Sequence, residues 1–354
     1  MKRILVILSI ITAGLFCAKA QKPYFSIDDM PDLVKCLPAP PDTTSLTFMH
    51  DVMRYMWGKE MRGDAKRAAV AERDAIWDLD TLAAIFSEPF GLKIDKVTTP
   101  EIYNAFMRGV KTIEVIRIRP KAHYMRKRPF DRFQEHMLTI WEEDELRGEG
   151  SYPSGHTIRG WSAALILAEI NPAAANEIFA RGWEYGESRV IVGAHWQSDV
   201  DASRPAASIG YSLLQTNPAY REQMDRARKE FASIACHQAD NVNLAGKVWN
   251  FSKKRRNGFT LNLSTWKEPR EGIVVSYAAT QDLHTLSDLE YIVGHALSHD
   301  GYVGGWRDST DGVYYYDSVR IFPEDQLEQA MEFGRINGQI SIYILSSGTE
   351  VLLD

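Results

Sequence analysis

Cysteine is scarce, with three in 354 residues. That count excludes a disulfide-stapled scaffold and a cysteine-rich zinc domain. Positive charge is also in short supply: 41 Lys and Arg stand against 47 Asp and Glu, and the pI is about 5.9. No nucleic-acid partner is expected of such a chain. An anionic substrate must be drawn in by local positive charge, since the global field is negative. Beyond residue 20 no apolar run is long enough to span a bilayer. Repeats of solenoid period and low-complexity tracts are absent too.

The chain does contain a leader-like start. Lys2 and Arg3 precede an apolar run from Ile4 to Cys17, and Ala18-Lys19-Ala20 supplies a small-x-small cleavage pattern. Residues 1–20 therefore read as a signal peptide, with a mature start near Gln21. The expectation is a periplasmic or secreted bacterial protein with no stable membrane insertion after cleavage. Cys36 and Cys236 are then the cysteines left, and one bridge between them is open.

Hydrophobic content of 45% and charged content of 25% are ordinary for a globular protein. Leu37 to Thr43 is a stiff, proline-rich approach. From about Ser45 to Ala235 the pattern is helical. Thr47 to Glu88 is rich in good helix formers, with Gly63 as a break and Pro89 as a stop. Pro100 to Tyr124 continues the pattern. Thr157 to Glu169 places Ile158, Trp161, Leu165 and Ala168 on one face. Pro172 to about Val200 and Pro205 to Ala235 follow as further helices. The texture then changes. Lys253 to Gly258 reads as a charged linker, strand-like runs lie at 259–263, 272–277, 313–320 and 339–345, a turn at 308–312, and a helix at 323–337. The expected organisation is a helical domain at 21–240, a linker at 241–257, and a small α+β domain at 258–354.

Four local groups carry chemistry. In Pro153-Ser154-Gly155-His156 a turn runs straight into an apolar helix, with Ser154 at the capping position. The first amides of such a helix lack partners and suit phosphate oxygens, and Gly155 lets backbone come close. His195 and Asp199 are four apart, on one face if the segment is helical. A carboxylate there can fix the imidazole tautomer and leave Nε2 with a free lone pair. Lys121, Arg128 and Arg189 add cations suited to the charge of a phosphoryl transition state. Taken singly, each group is more often an ordinary cap, a structural His–Asp pair or a solvated charge. A metal among the histidines is disfavoured by the three cations, so no metal or cofactor is assigned.

Taken in order, Lys121-x6-Arg128-Pro129, Pro153-Ser154-Gly155-His156 and Ser188-Arg189-x5-His195-x3-Asp199 resemble the three-part signature of the type 2 phosphatidic acid phosphatase (PAP2) superfamily. The likeness is strongest to its soluble branch, the bacterial class A non-specific acid phosphatases, and spans roughly residues 24–235. It implies an all-α, haloperoxidase-like fold and an acid phosphatase acting on phosphate monoesters through a phosphohistidine. By that likeness Lys121, Arg128, Ser154, Gly155 and Arg189 hold phosphate, His195 attacks, Asp199 orients it, and His156 serves as acid and then base. Transfer to an alcohol is open beside hydrolysis. A vanadate-dependent haloperoxidase, with a similar cage, is the alternative enzyme. A surface-binding protein acting through 258–354 is the alternative outside catalysis.

The second domain carries little. His295 and His299 are four apart with Asp300 adjacent and His284 upstream, but Gly294 and Gly301 weaken the helix a metal site would need. Trp306 and Tyr314 to Tyr316 could form a binding face, but alternation on a half-buried strand explains the tyrosines more simply. No signal for an oligomeric state is present.

Overall fold

The computed structural model describes residues 22–255, 257–308 and 312–353. The leader read at 1–20 lies outside the described residues, as do 309–311 of the expected turn. The chain divides between Phe231 and Ala232 into two compact units.

The first unit is helical. It runs α1 (Leu33–Cys36), α2 (Leu46–Met61), α3 (Ala65–Asp74), α4 (Leu79–Phe90), α5 (Pro100–Glu114), α6 (Ile118–Tyr124), α7 (Pro129–Phe133), α8 (Glu143–Arg147), α9 (Gly155–Ile170), α10 (Ala175–Ile191) and α11 (Gln197–Leu214). The last helix, α12 (Pro218–Ser252), crosses the division between the units. Local chemistry sets the boundaries. Ser45 caps α2 by accepting the Phe48 N–H, and Asp64 caps α3 just after the Gly63 break. Pro89 lies in the last turn of α4, and Gly91 closes that helix with φ of 86°.

Helix α9 sits at the centre, packed by α5, α10 and α11. It buries nearly its whole circumference instead of the single expected stripe: Ile158 and Ala168 are buried, while Trp161 and Leu165 are only partly so. Small residues make this possible. A Cβ on Gly160 would collide with the rigid Tyr185 ring of α10, and one on Gly182 would lie 2.9 Å from the Ala164 methyl. Phe86, Phe106, Ile113, Ile158, Ile166 and Tyr185 are core members around it.

The second unit contains, among the described residues, an antiparallel sheet of β1 (Phe259–Asn262), β2 (Ile273–Ser276), β3 (Tyr302–Arg307), β4 (Tyr314–Phe322), β5 (Ser341–Ile344) and β6 (Thr349–Leu352), in the order β1-β3-β4-β2-β5-β6. Helix α13 (Leu286–Ser298) packs on β3 and β4, and α14 (Leu327–Ile336) on β2 and β5.

Several expectations are corrected. Residues 241–252 belong to α12 and are not linker, because Leu244, Ala245 and Val248 pack into the core under α13. Pro205 lies inside α11, where it forfeits one backbone hydrogen bond without ending the helix. Residues 286–298 are helical despite Gly294, held by a Thr285–Asp288 capping box and by buried Leu289, Ile292 and Val293. Cys36 and Cys236 are free, exposed thiols, not a disulfide.

Candidate active site

The site is built where two helices begin. At the start of α9 the Ser154 hydroxyl accepts the Thr157 N–H at 3.3 Å, so the expected cap is in place. The Ser154 N–H donates to the Asp199 carbonyl at 3.3 Å. Ser203 Oγ lies 2.6 Å from that same carbonyl and 3.0 Å from the Ser154 carbonyl. The N-termini of α9 and α11 are thereby joined through backbone.

His195 and Asp199 do meet, but not as neighbours on one helical face. His195 precedes α11, Trp196 is the N-cap, and Asp199 lies in the first turn. Asp199 Oδ2 accepts the Trp196 N–H at 2.9 Å and the Ser151 hydroxyl at 2.8 Å. His195 Nδ1 stands 3.4 Å from Oδ2, an electrostatic pairing without hydrogen-bond geometry. On the other side, an Arg128 Nη1 N–H donates to His195 Nε2 at 3.0 Å. A guanidinium can only donate, so Nε2 carries the lone pair and the neutral ring's proton is on Nδ1, toward Asp199. His195 is buried, and its pKa lies well below the usual value through burial first and then the charges of Arg128, Lys121 and Arg189.

The cations are equally constrained. Arg128 Nε donates to the Leu146 and Glu149 carbonyls, and Nη1 also reaches the Ala194 carbonyl at 3.0 Å. Lys121 Nζ donates to the Gly150 carbonyl at 2.6 Å. Burial, aided by Arg128, pushes the Lys121 ammonium down to about 7, with Glu149 opposing. Arg189 pairs with Glu142, Nη2 to Oε1 at 2.9 Å and Nη1 to Oε2 at 3.3 Å. Its backbone carbonyl accepts from the His195 N–H at 3.2 Å, which ties α10 to the histidine loop.

His156 lies in the first turn of α9, its ring 4.6 Å from that of Trp77. Its Nε2–H donates to the Ala75 carbonyl at 3.0 Å, which leaves Nδ1 with the lone pair. Burial, then Arg189, holds its pKa well below the usual value. A Cβ on Gly155 would lie 2.9 Å from Arg117 Cδ, so a side chain there would displace Arg117. Ser188 turns away from the cage; its hydroxyl donates to Asp74 at 2.7 Å.

All eight residues singled out in the sequence thus belong to one buried neighbourhood. Sequence reasoning missed the site's other carboxylates and one arginine. Arg126 Nη1 donates to Asp199 Oδ1 at 2.5 Å and Nη2 to Asp51 Oδ2 at 2.7 Å, so it bridges two buried acids. Glu142, Glu149 and Ser151 were not anticipated either. Arg126 stands in the Arg126-Lys127-Arg128 run, which was a possible signal; the acids have no local pattern. A depression of about 220 Å³ lined by Arg126, Arg128, Arg147, Glu149 and Gly150 opens beside the cage. A wider hollow of about 700 Å³, lined by Trp57 and Trp183, contains none of the eight. Among the described residues no group of three or more His, Cys, Asp or Glu is placed to hold a metal ion, His295 and His299 included.

Residues 105–215, which hold all eight, match the PAP2 superfamily. The non-specific acid phosphatase of Providencia stuartii is 40% identical over 204 residues, 57% of this chain and 82% of the relative. That of Salmonella typhimurium is 37% identical over 225 residues, 63% of this chain and 89% of the relative. The acid phosphatase of Zymomonas mobilis is 35% identical over 208 residues, 58% of this chain and 78% of the relative. The chain belongs to the PAP2 superfamily and, within it, to the class A bacterial non-specific acid phosphatases.

Proposed function

We propose that this protein is an exported acid phosphatase that hydrolyses phosphate monoesters through a phosphohistidine on His195, without a metal. The observation that supports this most is the state of His195: a buried, neutral imidazole whose Nε2 lone pair meets Arg128, with the charges of Lys121 and Arg189 also acting on the ring and Asp199 beside Nδ1.

The chemistry follows from these atoms. The phosphoryl oxygens take the donors of Lys121, Arg128 and Arg189 and the first amides of α9. When an oxygen takes Arg128 Nη1, that donor leaves Nε2, and the lone pair is released for in-line attack. The N–P bond forms as the P–O bond to the leaving group breaks. His156 Nδ1 gives the departing alkoxide its proton, since Nε2–H is committed to Ala75. His156 then takes a proton from water, which attacks phosphorus, breaks the N–P bond and frees inorganic phosphate. An alcohol in place of that water gives phosphotransfer. Attack needs His195 neutral and the first step needs His156 protonated, so activity is bell-shaped in pH. Burial and then the cations depress both histidines, and the bound dianion raises them again, which puts the optimum on the acid side.

Among the described residues no helix is long and apolar enough to cross a membrane. Export rests on the leader-like residues 1–20, and cleavage near Gln21 is checked by N-terminal sequencing of the periplasmic or secreted protein.

The test is p-nitrophenyl phosphate hydrolysis at mildly acidic pH with excess EDTA. Wild-type turnover should survive chelation, and His195→Ala should lower kcat by at least about a thousandfold. Turnover abolished by EDTA, or retained in the variant, would sink the mechanism.

A further inference from the structure

Glu149 is an acid in a place built for anions. Its Oε2 lies 3.4 Å from Lys121 Nζ and 3.2 Å from Arg128 Nη2, and its Oε1 lies 2.8 Å from Arg117 Nη1. Arg128 spends Nε and Nη1 on carbonyls and on His195; besides a long contact from Nη2 to the Gly150 carbonyl, Nη2 reaches Glu149. The outward donors of Lys121 and Arg128 therefore converge on one carboxylate oxygen. Arg117, the third partner, lies against Gly155 at the start of α9. The carboxylate thus spans from the helix start to the two cations that the proposed function assigns to phosphate.

A second carboxylate in the neighbourhood supplies the contrast. Glu142 braces Arg189, its side chain is 12% exposed, and it also accepts the Thr139 hydroxyl at 2.6 Å. Glu149 is 40% exposed and at the wall of the depression that opens the site, which Asp131, Arg126 and Arg147 also line. One acid is nearly buried against its cation; the other is partly open to solvent at the wall of the depression. Burial raises the Glu149 carboxyl, but the charges of Lys121, Arg128 and Arg117 outweigh it and hold the pKa below the usual range. It therefore stays an anion in mildly acidic solution.

We propose that Glu149 is a resident counter-ion of the phosphate site, displaced by each incoming phosphoryl group, and that it sets the affinity for substrate and for released phosphate. This rests on the phosphatase reading of the cage. Before substrate arrives, the carboxylate keeps buried Lys121 and Arg128 from standing unpaired. After hydrolysis it competes with inorganic phosphate for the same donors and speeds product release. The affinity for phosphate is then the difference between two anions on one set of cations.

The experiment titrates inorganic phosphate into the full mature chain by calorimetry at mildly acidic pH, wild type against Glu149→Gln, with p-nitrophenyl phosphate kinetics on both. The variant should bind phosphate about tenfold tighter, with KM lowered and inhibition by phosphate strengthened to match. Glu142→Gln should do the opposite and weaken phosphate binding. Phosphate affinity unchanged or weakened in Glu149→Gln would overturn the proposal and make Glu149 a brace. A crystal structure of the wild type with orthovanadate tests it without any variant. Glu149 rotated off Lys121 and Arg128 supports it, and Glu149 still on both beside the oxyanion overturns it. Phosphate binding without p-nitrophenyl phosphate turnover would overturn the phosphatase reading alone. No phosphate binding by either form would remove both.

Discussion

Each unit of this chain buries an aspartate, and the two are treated differently. Asp199 in the helical unit is held by the guanidinium of Arg126, a hydroxyl and a backbone N–H, with His195 beside it. Asp317 on β4 of the second unit is acted on by Ser276 and Trp306, which hydrogen-bond it, and by Asp282, whose like charge repels it. No cation is among these groups. Burial accordingly pushes the Asp317 carboxyl up to about 6. A buried charge persists where a cation and several donors replace water, and is neutralised where they do not. The first unit gathers its buried acids against cations around the proposed site; in the second, among the described residues, Asp317 is buried without one.

Removing the charge at each position sharpens this contrast. Asp199→Asn should be the most damaging of these changes. It takes from Arg126 one of its two carboxylates and puts an amide against His195 Nδ1, costing about 3–5 kcal/mol of unfolding free energy and at least about a hundredfold in kcat. Denaturant unfolding and p-nitrophenyl phosphate kinetics read the two effects, and an unperturbed variant would break the comparison. Asp317→Asn should act in the opposite direction. The folded-state pKa of Asp317 is raised, so its stability contribution is present below about pH 4 and is lost as pH rises through about 6. The amide should therefore stabilise the second unit by on the order of 2–3 kcal/mol at pH 7.5, with the gain vanishing near pH 4 and kcat unmoved. An effect that needs no substitution concerns His156 and His195. Their folded-state values are depressed, so below about pH 6.5 the unfolded chain binds protons that the folded chain does not. Stability of the first unit should fall by about 1.4 kcal/mol per pH unit for each histidine, and saturating phosphate should flatten that slope. A pH-independent melting curve between 4 and 6.5 would contradict their burial as neutral rings.

What the sequence made legible was local. The start of α9 follows from Ser154 and the apolar run behind it, because a cap and its helix lie within a few residues. The pairing of His195 with Asp199 also follows from spacing, although for a different reason: the helix begins between them, and the carboxylate reaches back over its own N-terminus. Glu142, Glu149, Asp51 and Arg126 were not legible, because their partners are fixed only when α2, α6, α10 and α11 come together. In the second unit, Gly294 argued against α13 by propensity, and burial of Leu289, Ile292 and Val293 overrode it. Strand β3 was hidden by Gly304 and Gly305. These leave room for Val319, Phe259 and Tyr314 and so remove the alternation that marks a strand.

The junction of the two helix starts has a consequence for how such a site diversifies. Ser154 and Asp199 are linked through main-chain atoms, with Ser203 spanning their carbonyls. His156 and His195, the residues proposed above as acid–base and nucleophile, are thus two ends of a single hinge-less joint, whose length does not depend on the side chains around the mouth. Substitutions around the mouth can retune what is accepted while the spacing between the two imidazoles stays as it is. Tolerance for many alcohols and phenols on one side of the scissile bond is therefore compatible with rigidity on the other.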